Sequence, residues 1–134
     1  MSEALYPWMH LIGRVLLAIV FVNSGIGHLT QQGTVGYAQS KGVPAPKVMV
    51  PLTGVMIIVG AVLVVLGWHR FIGAGLLAIF LLPTPFIMHA FWKAKDPMAR
   101  VQEQVHFLKD LALLGAALLL AYYARWPWPL SLGG

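Results

Sequence analysis

Several ionisable side chains lie within or against the longest apolar runs of this sequence. Arg14 and His28 fall in HLIGRVLLAIVFVNSGIGHL (10–29), His89 in LLPTPFIMHAFW (81–92), and His106 and Asp110 in QVHFLKDLALLG (104–115), just after Glu103. Imidazoles and carboxylates gathered at one level can ligate a metal, orient one another, move a proton or hydrogen-bond a quinone carbonyl. As metal ligands His28, His89 and His106 form only a weak set, because no pair has a short ligating spacing such as HExxH. No metal is expected. The candidates for holding a quinone or small anion are Arg14, His28, His89 and Asp110. The sequence has no cysteine, which removes thiolate nucleophiles and zinc-thiolate sites. Any redox role therefore needs a borrowed electron carrier, and no catalytic residue is identified.

The elements that must carry these groups are membrane spans. Of 134 residues, 59% are hydrophobic and 10% charged, whereas soluble domains carry about 25% charged residues. Roughly 20 apolar residues cross the hydrocarbon core, and four blocks have that length, about 8–29, 48–68, 71–92 and 106–126. They predict one all-α domain over 1–134, an integral membrane antiparallel four-helix bundle. The joints are a polar Gly/Pro-rich loop over 30–47, a tight turn at His69–Arg70 that makes spans two and three a hairpin, and a charged segment over 93–105. A secretory signal peptide is not expected in the first block: Glu3 precedes any basic residue and no A-x-A site follows VLLAIVFV.

One membrane face, the terminal face, holds both termini and the 69–70 turn; the other, the loop face, holds the two longer connections. Trp8, Trp68, Trp126 and Trp128 mark three helix ends on the terminal face as an aromatic belt, with Tyr122 and Tyr123 one turn deeper. The formal charge of +5 comes from short segments between apolar blocks, which fits membrane orientation and not nucleic acid. Lys41, Lys47, Lys93, Lys95 and Arg100 on the loop face place loops 30–47 and 93–105 in the cytoplasm.

A mid-span arginine costs about 2.5–3.5 kcal/mol on insertion scales, which the run Val15–Val22 offsets. Arg14 shares a stripe with His10, Phe21 and nearly His28 that faces the bundle interior. Two roles follow for it: bonding a carbonyl or lipid phosphate at the terminal face, or anchoring an anionic ligand. Pro83 and Pro85 remove backbone donors and should kink or loosen span three. His28, His89 and His106 approach the loop face from three helices, where they can meet at a shared site or satisfy separate hydrogen bonds. Asp110, about one turn inside span four, needs a cationic partner, and His28, His89 and Lys109 are in reach. His10 and His69 read as interfacial residues.

GRVLLAIVFVNSGIGHLT, GYAQSKGVPAPK, LGWHR, MHAFW and QVHFLKDLALLGAALLL occur in the order and spacing of the DoxX family of small four-helix membrane proteins, and the chain resembles its actinobacterial type over about residues 10–123. Matching motif positions are Gly13, Arg14, Gly25, His89, Trp92, Phe107, Lys109 and Asp110. The resemblance implies a small membrane subunit of a quinone-linked or stress-related oxidoreductase system in a bacterial cell membrane, one not catalytic alone. The alternative it implies is a structural or assembly subunit of a larger complex. Expected partners are the bilayer and other membrane subunits or further copies of the chain, with quinone as the possible cofactor. Two departures bear on this: no Asp or Glu occurs from residue 4 through 95, and His28 and Asp110 stand where many members have lysine and asparagine.

Overall fold

In the computed structural model, which describes residues 2–134, the chain forms α1 (Tyr6–Thr30), α2 (Gly33–Ser40), α3 (Pro46–Leu66), α4 (Arg70–Leu81), α5 (Thr84–Met88) and α6 (Pro97–Tyr123). Short 3-10 turns cover Glu3–Leu5 and Phe91–Lys93. Four units are long and apolar enough to span a membrane: Glu3–Thr30, Pro46–Leu66, Arg70–Lys93 and Pro97–Tyr123. Among the described residues there is no strand, only an isolated bridge between Trp68 and Gly133. The all-α four-span architecture read from the sequence is the observed one.

Proline starts three of the long helices where a missing N–H costs nothing: Pro7, Pro46 and Pro97 each lie in a first turn. Asp96 adds a side-chain cap to α6, accepting from the Ala99 N–H at 2.9 Å. The hairpin between α3 and α4 turns on Gly67, whose φ of 62° is left-handed. The Trp68 N–H then reaches back to the Leu63 carbonyl at 3.1 Å.

Chain order is packing order, with α1 on α3, α3 on α4 and α4 on α6. The closest approaches use glycine pairs. A Cβ on Gly25 would lie 2.8 Å from the Gly54 carbonyl oxygen, and one on Gly60 would lie 3.0 Å from that of Gly73. Small residues replace hydrophobic driving force where lipid is the solvent. Ala18, Phe21, Ile57, Ala61, Val64, Ala74, Leu77, Leu81 and Ala117 fill the interior, while Leu16, Ile19, Val62, Phe71, Ile79, Leu118 and Leu119 point outward. That apolar outer surface is satisfied by acyl chains.

Three details differ from the sequence reading, and the break in span three is the loosening expected at Pro83 and Pro85. The 30–47 loop contains α2, a helix too short and too weakly amphipathic to show as a period. Span four begins at Pro97, not 106, so His106 lies inside α6 and does not open it. Helical charge at 97–105 reads as loop when only hydropathy is followed, but a helix of 27 residues is about 40 Å long and projects past ~30 Å of hydrocarbon. Span three is divided: α4 stops at Leu81, and α5 resumes at Thr84, whose hydroxyl donates to the Phe80 carbonyl. Trp128 does not join the interfacial belt, because residues after α6 fold back and bury it to 6% exposure.

Candidate functional site

His89 follows α5, in the segment that the prolines of span three release from a continuous helix. Glu103 and Asp110 are seven residues apart on α6, two turns along one face. The imidazole spans that interval. Its Nδ1 lies 2.8 Å from Glu103 Oε2, and its Nε2 lies 3.7 Å from Asp110 Oδ2. His106 stacks on the same ring at 5.0 Å between centroids. A carboxylate only accepts, so the Nδ1–H donates to Glu103 and fixes the tautomer, with Nε2 turned toward Asp110.

Other cations complete the cluster. Lys109 Nζ is 3.8 Å from Asp110 Oδ1, and Lys41 Nζ is 3.8 Å from Glu103 Oε1. The Tyr37 hydroxyl donates to Glu103 Oε1 at 3.1 Å. Tyr37 and Lys41 are one turn apart along and just past α2, so this helix lies over the cluster and is tied to it through Glu103. Partial burial, together with the Glu103 charge and hydrogen bond, raises the Tyr37 phenol above its ordinary pKa and keeps it a donor. Asp110 is 6% exposed; a carboxylate at that depth needs the partners it has. Phe86, Phe91, Trp92 and Phe107 pack edge to face beside the cluster.

His28 faces elsewhere. Its Nδ1 is 3.2 Å from both the Val50 carbonyl and Thr53 Oγ1 on α3, and its ring meets Phe80 edge-on at 5.9 Å. It also lines a pocket of about 200 Å³ with Gln31, Gln32, Val35, Lys47 and Pro51. Of the three histidines expected near the loop face, His89 and His106 meet; His28 hydrogen-bonds α3. Of the partners named for Asp110, His89 and Lys109 are present and His28 is not. Among the described residues, no group of three His, Asp or Glu side chains is arranged to hold a metal.

Arg14 lies at the opposite end of the bundle. Nη1 donates to the Val65 carbonyl at 3.0 Å, and Nη2 donates to those of Pro129 and Leu130 at 2.7 and 2.8 Å. Of the two roles read for Arg14, carbonyl bonding is the one its hydrogen bonds display; the carbonyls belong to the end of α3 and to the returning C-terminal segment. His10 is not an ordinary interfacial residue: its ring packs on Trp128 at 5.3 Å with Nδ1 buried. His69 is exposed and rests on Trp68 at 4.6 Å. Sequence reading gave Glu103 only a neighbouring place and missed Tyr37, Arg70 and Trp128. The 103–106–110 stripe on one helix was the available signal for Glu103; the folded-back tail that recruits Arg70 and Trp128 has none.

Four apolar helices, a proline-divided third span and a buried polar chain on one side define a small polytopic membrane protein. It belongs to the DoxX family, whose model, described as DoxX, matches residues 9–90. The match ends just after His89, so the α6 carboxylates lie beyond it. Two proteins of Escherichia coli (strain K12) are similar along most of their length. Inner membrane protein YphA is 32% identical over 116 residues, 86% of this chain and 82% of that protein. Inner membrane protein YqjF is 31% identical over 112 residues, 83% of this chain and 80% of that protein. No solved structure matches.

Proposed function

We propose that this chain is the small membrane subunit of a quinone-linked or stress-related oxidoreductase system in a bacterial inner membrane, with segments 30–47 and 93–105 on the cytoplasmic side. The names of the two Escherichia coli relatives support the location. The observation that carries the chemistry is one imidazole set between two carboxylates, 2.8 Å from Glu103 and 3.7 Å from Asp110.

Reduction of a quinone takes two electrons and two protons. The cysteine-free chain offers no electron carrier of its own, so the electrons come from a partner subunit. Protons are what this chain supplies. Protonated His89 gives its Nε2 proton to one quinone oxygen and is reprotonated through Asp110 from water at the loop face, while Glu103 holds the ring in place; the second quinone oxygen takes its proton from the same water.

The test is purification in dodecyl maltoside, extraction of bound quinone, and thermal melting with added short-chain quinone. Wild type should carry quinone and be stabilised by it, with both effects weakened in His89→Gln and Asp110→Asn. No extractable quinone and no thermal response in wild type would overturn the reading. The assembly-subunit alternative predicts instead that His28→Ala and Asp110→Ala alter recovery of a co-purifying complex without changing its turnover.

A further inference from the structure

The terminal face holds a second polar cluster, at the far end of the bundle from His89 and independent of the quinone reading. Trp128 is its centre. The guanidinium carbons of Arg14 and Arg70 lie 5.7 and 5.9 Å from the Trp128 ring centroid, and the His10 ring lies 5.3 Å from it. Trp128 Nε1 donates to the Tyr123 carbonyl at 3.1 Å, and Arg70 Nε donates to that of Ala124 at 3.0 Å. Among the described residues, the buried side-chain nitrogens and oxygens without a hydrogen-bond partner are His10 Nδ1, Arg14 Nε and Arg70 Nη1. All three belong to this one cluster.

Its charge is also unbalanced. Every ion pair among the described residues lies at the loop face, on Glu103 or Asp110. Arg14 is 2% exposed, and a buried cation without a counter-charge is strongly destabilising. Of the carbonyls these two side chains cap, Val65 and Ala124 lie at the C-terminal ends of α3 and α6, each about half a negative charge, which the N-terminal ends of α1 and α4 at the same face offset. The two guanidiniums are left without a full counter-charge. Unused N–H donors and surplus positive charge at a membrane interface call for an anion with several acceptor oxygens.

We propose that His10, Arg14 and Arg70, gathered around Trp128, bind a tetrahedral oxyanion of the phosphate class. Arg70 Nη1 and Arg14 Nε donate to its oxygens, and His10 supplies a third polar contact. The oxyanion completes the seat of the returning C-terminal segment, which Arg14 already grips through Pro129 and Leu130. A phospholipid headgroup and free phosphate share this chemistry, and the experiment separates them.

The full chain is melted in dodecyl maltoside, which carries no phosphate, with three additions: inorganic phosphate against chloride at equal ionic strength, phosphatidylglycerol, and a phosphate-free glycolipid. A ligand well above its Kd should raise Tm by at least about 3 °C. A response to inorganic phosphate identifies a free oxyanion, and a response to phosphatidylglycerol alone identifies a headgroup. Arg70→Gln and His10→Leu should each weaken the response at least tenfold in ligand concentration; if Arg70→Gln fails to fold, His10→Leu carries the comparison. The proposal is overturned if neither phosphate compound stabilises the chain, if the glycolipid acts as well as phosphatidylglycerol, or if the folded variants respond like wild type.

Discussion

Replacing Arg14 with methionine keeps the length and apolar stem of the side chain but removes every donor. Three carbonyls lose their partners: Val65 at 3.0 Å, Pro129 at 2.7 Å and Leu130 at 2.8 Å. A buried acceptor left unsatisfied costs about 1–3 kcal/mol. The site is one or two turns from the interface, where water can re-satisfy part of that, so about 1 kcal/mol each is the fitting end of the range. Removing a buried charge returns some stability to the bundle as a whole, so global Tm is a poor readout. The local readout is the C-terminal segment, which depends on Arg14 through two of the three bonds. A loss of about 2 kcal/mol in its closing free energy corresponds to a roughly thirtyfold larger opening constant, since about 1.4 kcal/mol is tenfold. The Leu132 N–H, bonded to the Leu66 carbonyl at 2.8 Å, reports that opening by hydrogen exchange. In Arg14→Met its protection should fall by roughly thirtyfold while amides in the middle of α3 and α4 keep theirs. Unchanged protection at Leu132 would refute the assignment of Arg14 as the anchor of this segment.

Other substitutions test the packing and the loop-face cluster. Gly25→Ala puts a methyl 2.4 Å from Ile58 Cγ1 and 2.8 Å from the Gly54 carbonyl oxygen, so it should destabilise by about 1–3 kcal/mol. Gly115→Ala meets nothing within 4 Å and should be neutral or stabilising by up to about 1 kcal/mol; thermal melting of the two variants in detergent checks both. Glu103→Gln removes the carboxylate that joins His89, Lys41 and Tyr37, and should loosen α2, seen as faster proteolysis within residues 33–40 at a cost of about 1 kcal/mol or less in overall stability. Gly67→Ala must adopt a φ of +62° and displace Ser131, whose Cβ would lie 2.4 Å from the new methyl; we expect a stability loss exceeding about 1 kcal/mol, measured by unfolding in detergent.

What the sequence discloses follows the physics of each feature. Span number and type are plain because apolar length is an additive, local property, and the hairpin is plain because HR leaves room for nothing else. Pro83 and Pro85 announce the break that divides α4 from α5. Asp110 with Lys109 and His89 is legible from depth along the membrane normal, but helix rotation is not, and rotation decides that His28 turns to Val50 while His106 stacks on His89. Close helix packing is likewise not placed by composition: the nearest approaches belong to Gly25 with Gly54 and Gly60 with Gly73. Least legible is the tail: RWPWPLSLGG has no period, and its place is set by two distant arginines and the end of α3.

The most direct test of the proposed loop-face relay is the protonation of the His89 ring, read by nitrogen-15 solid-state NMR of histidine-labelled chain in lipid bilayers, with His89→Gln identifying its signals. The Glu103–His89–Asp110 arrangement predicts a hydrogen on Nδ1, and an Nε2 signal that moves in Asp110→Asn while Nδ1 stays protonated. A bare Nδ1 in the wild-type protein, or an Nε2 signal indifferent to Asp110→Asn, would contradict it.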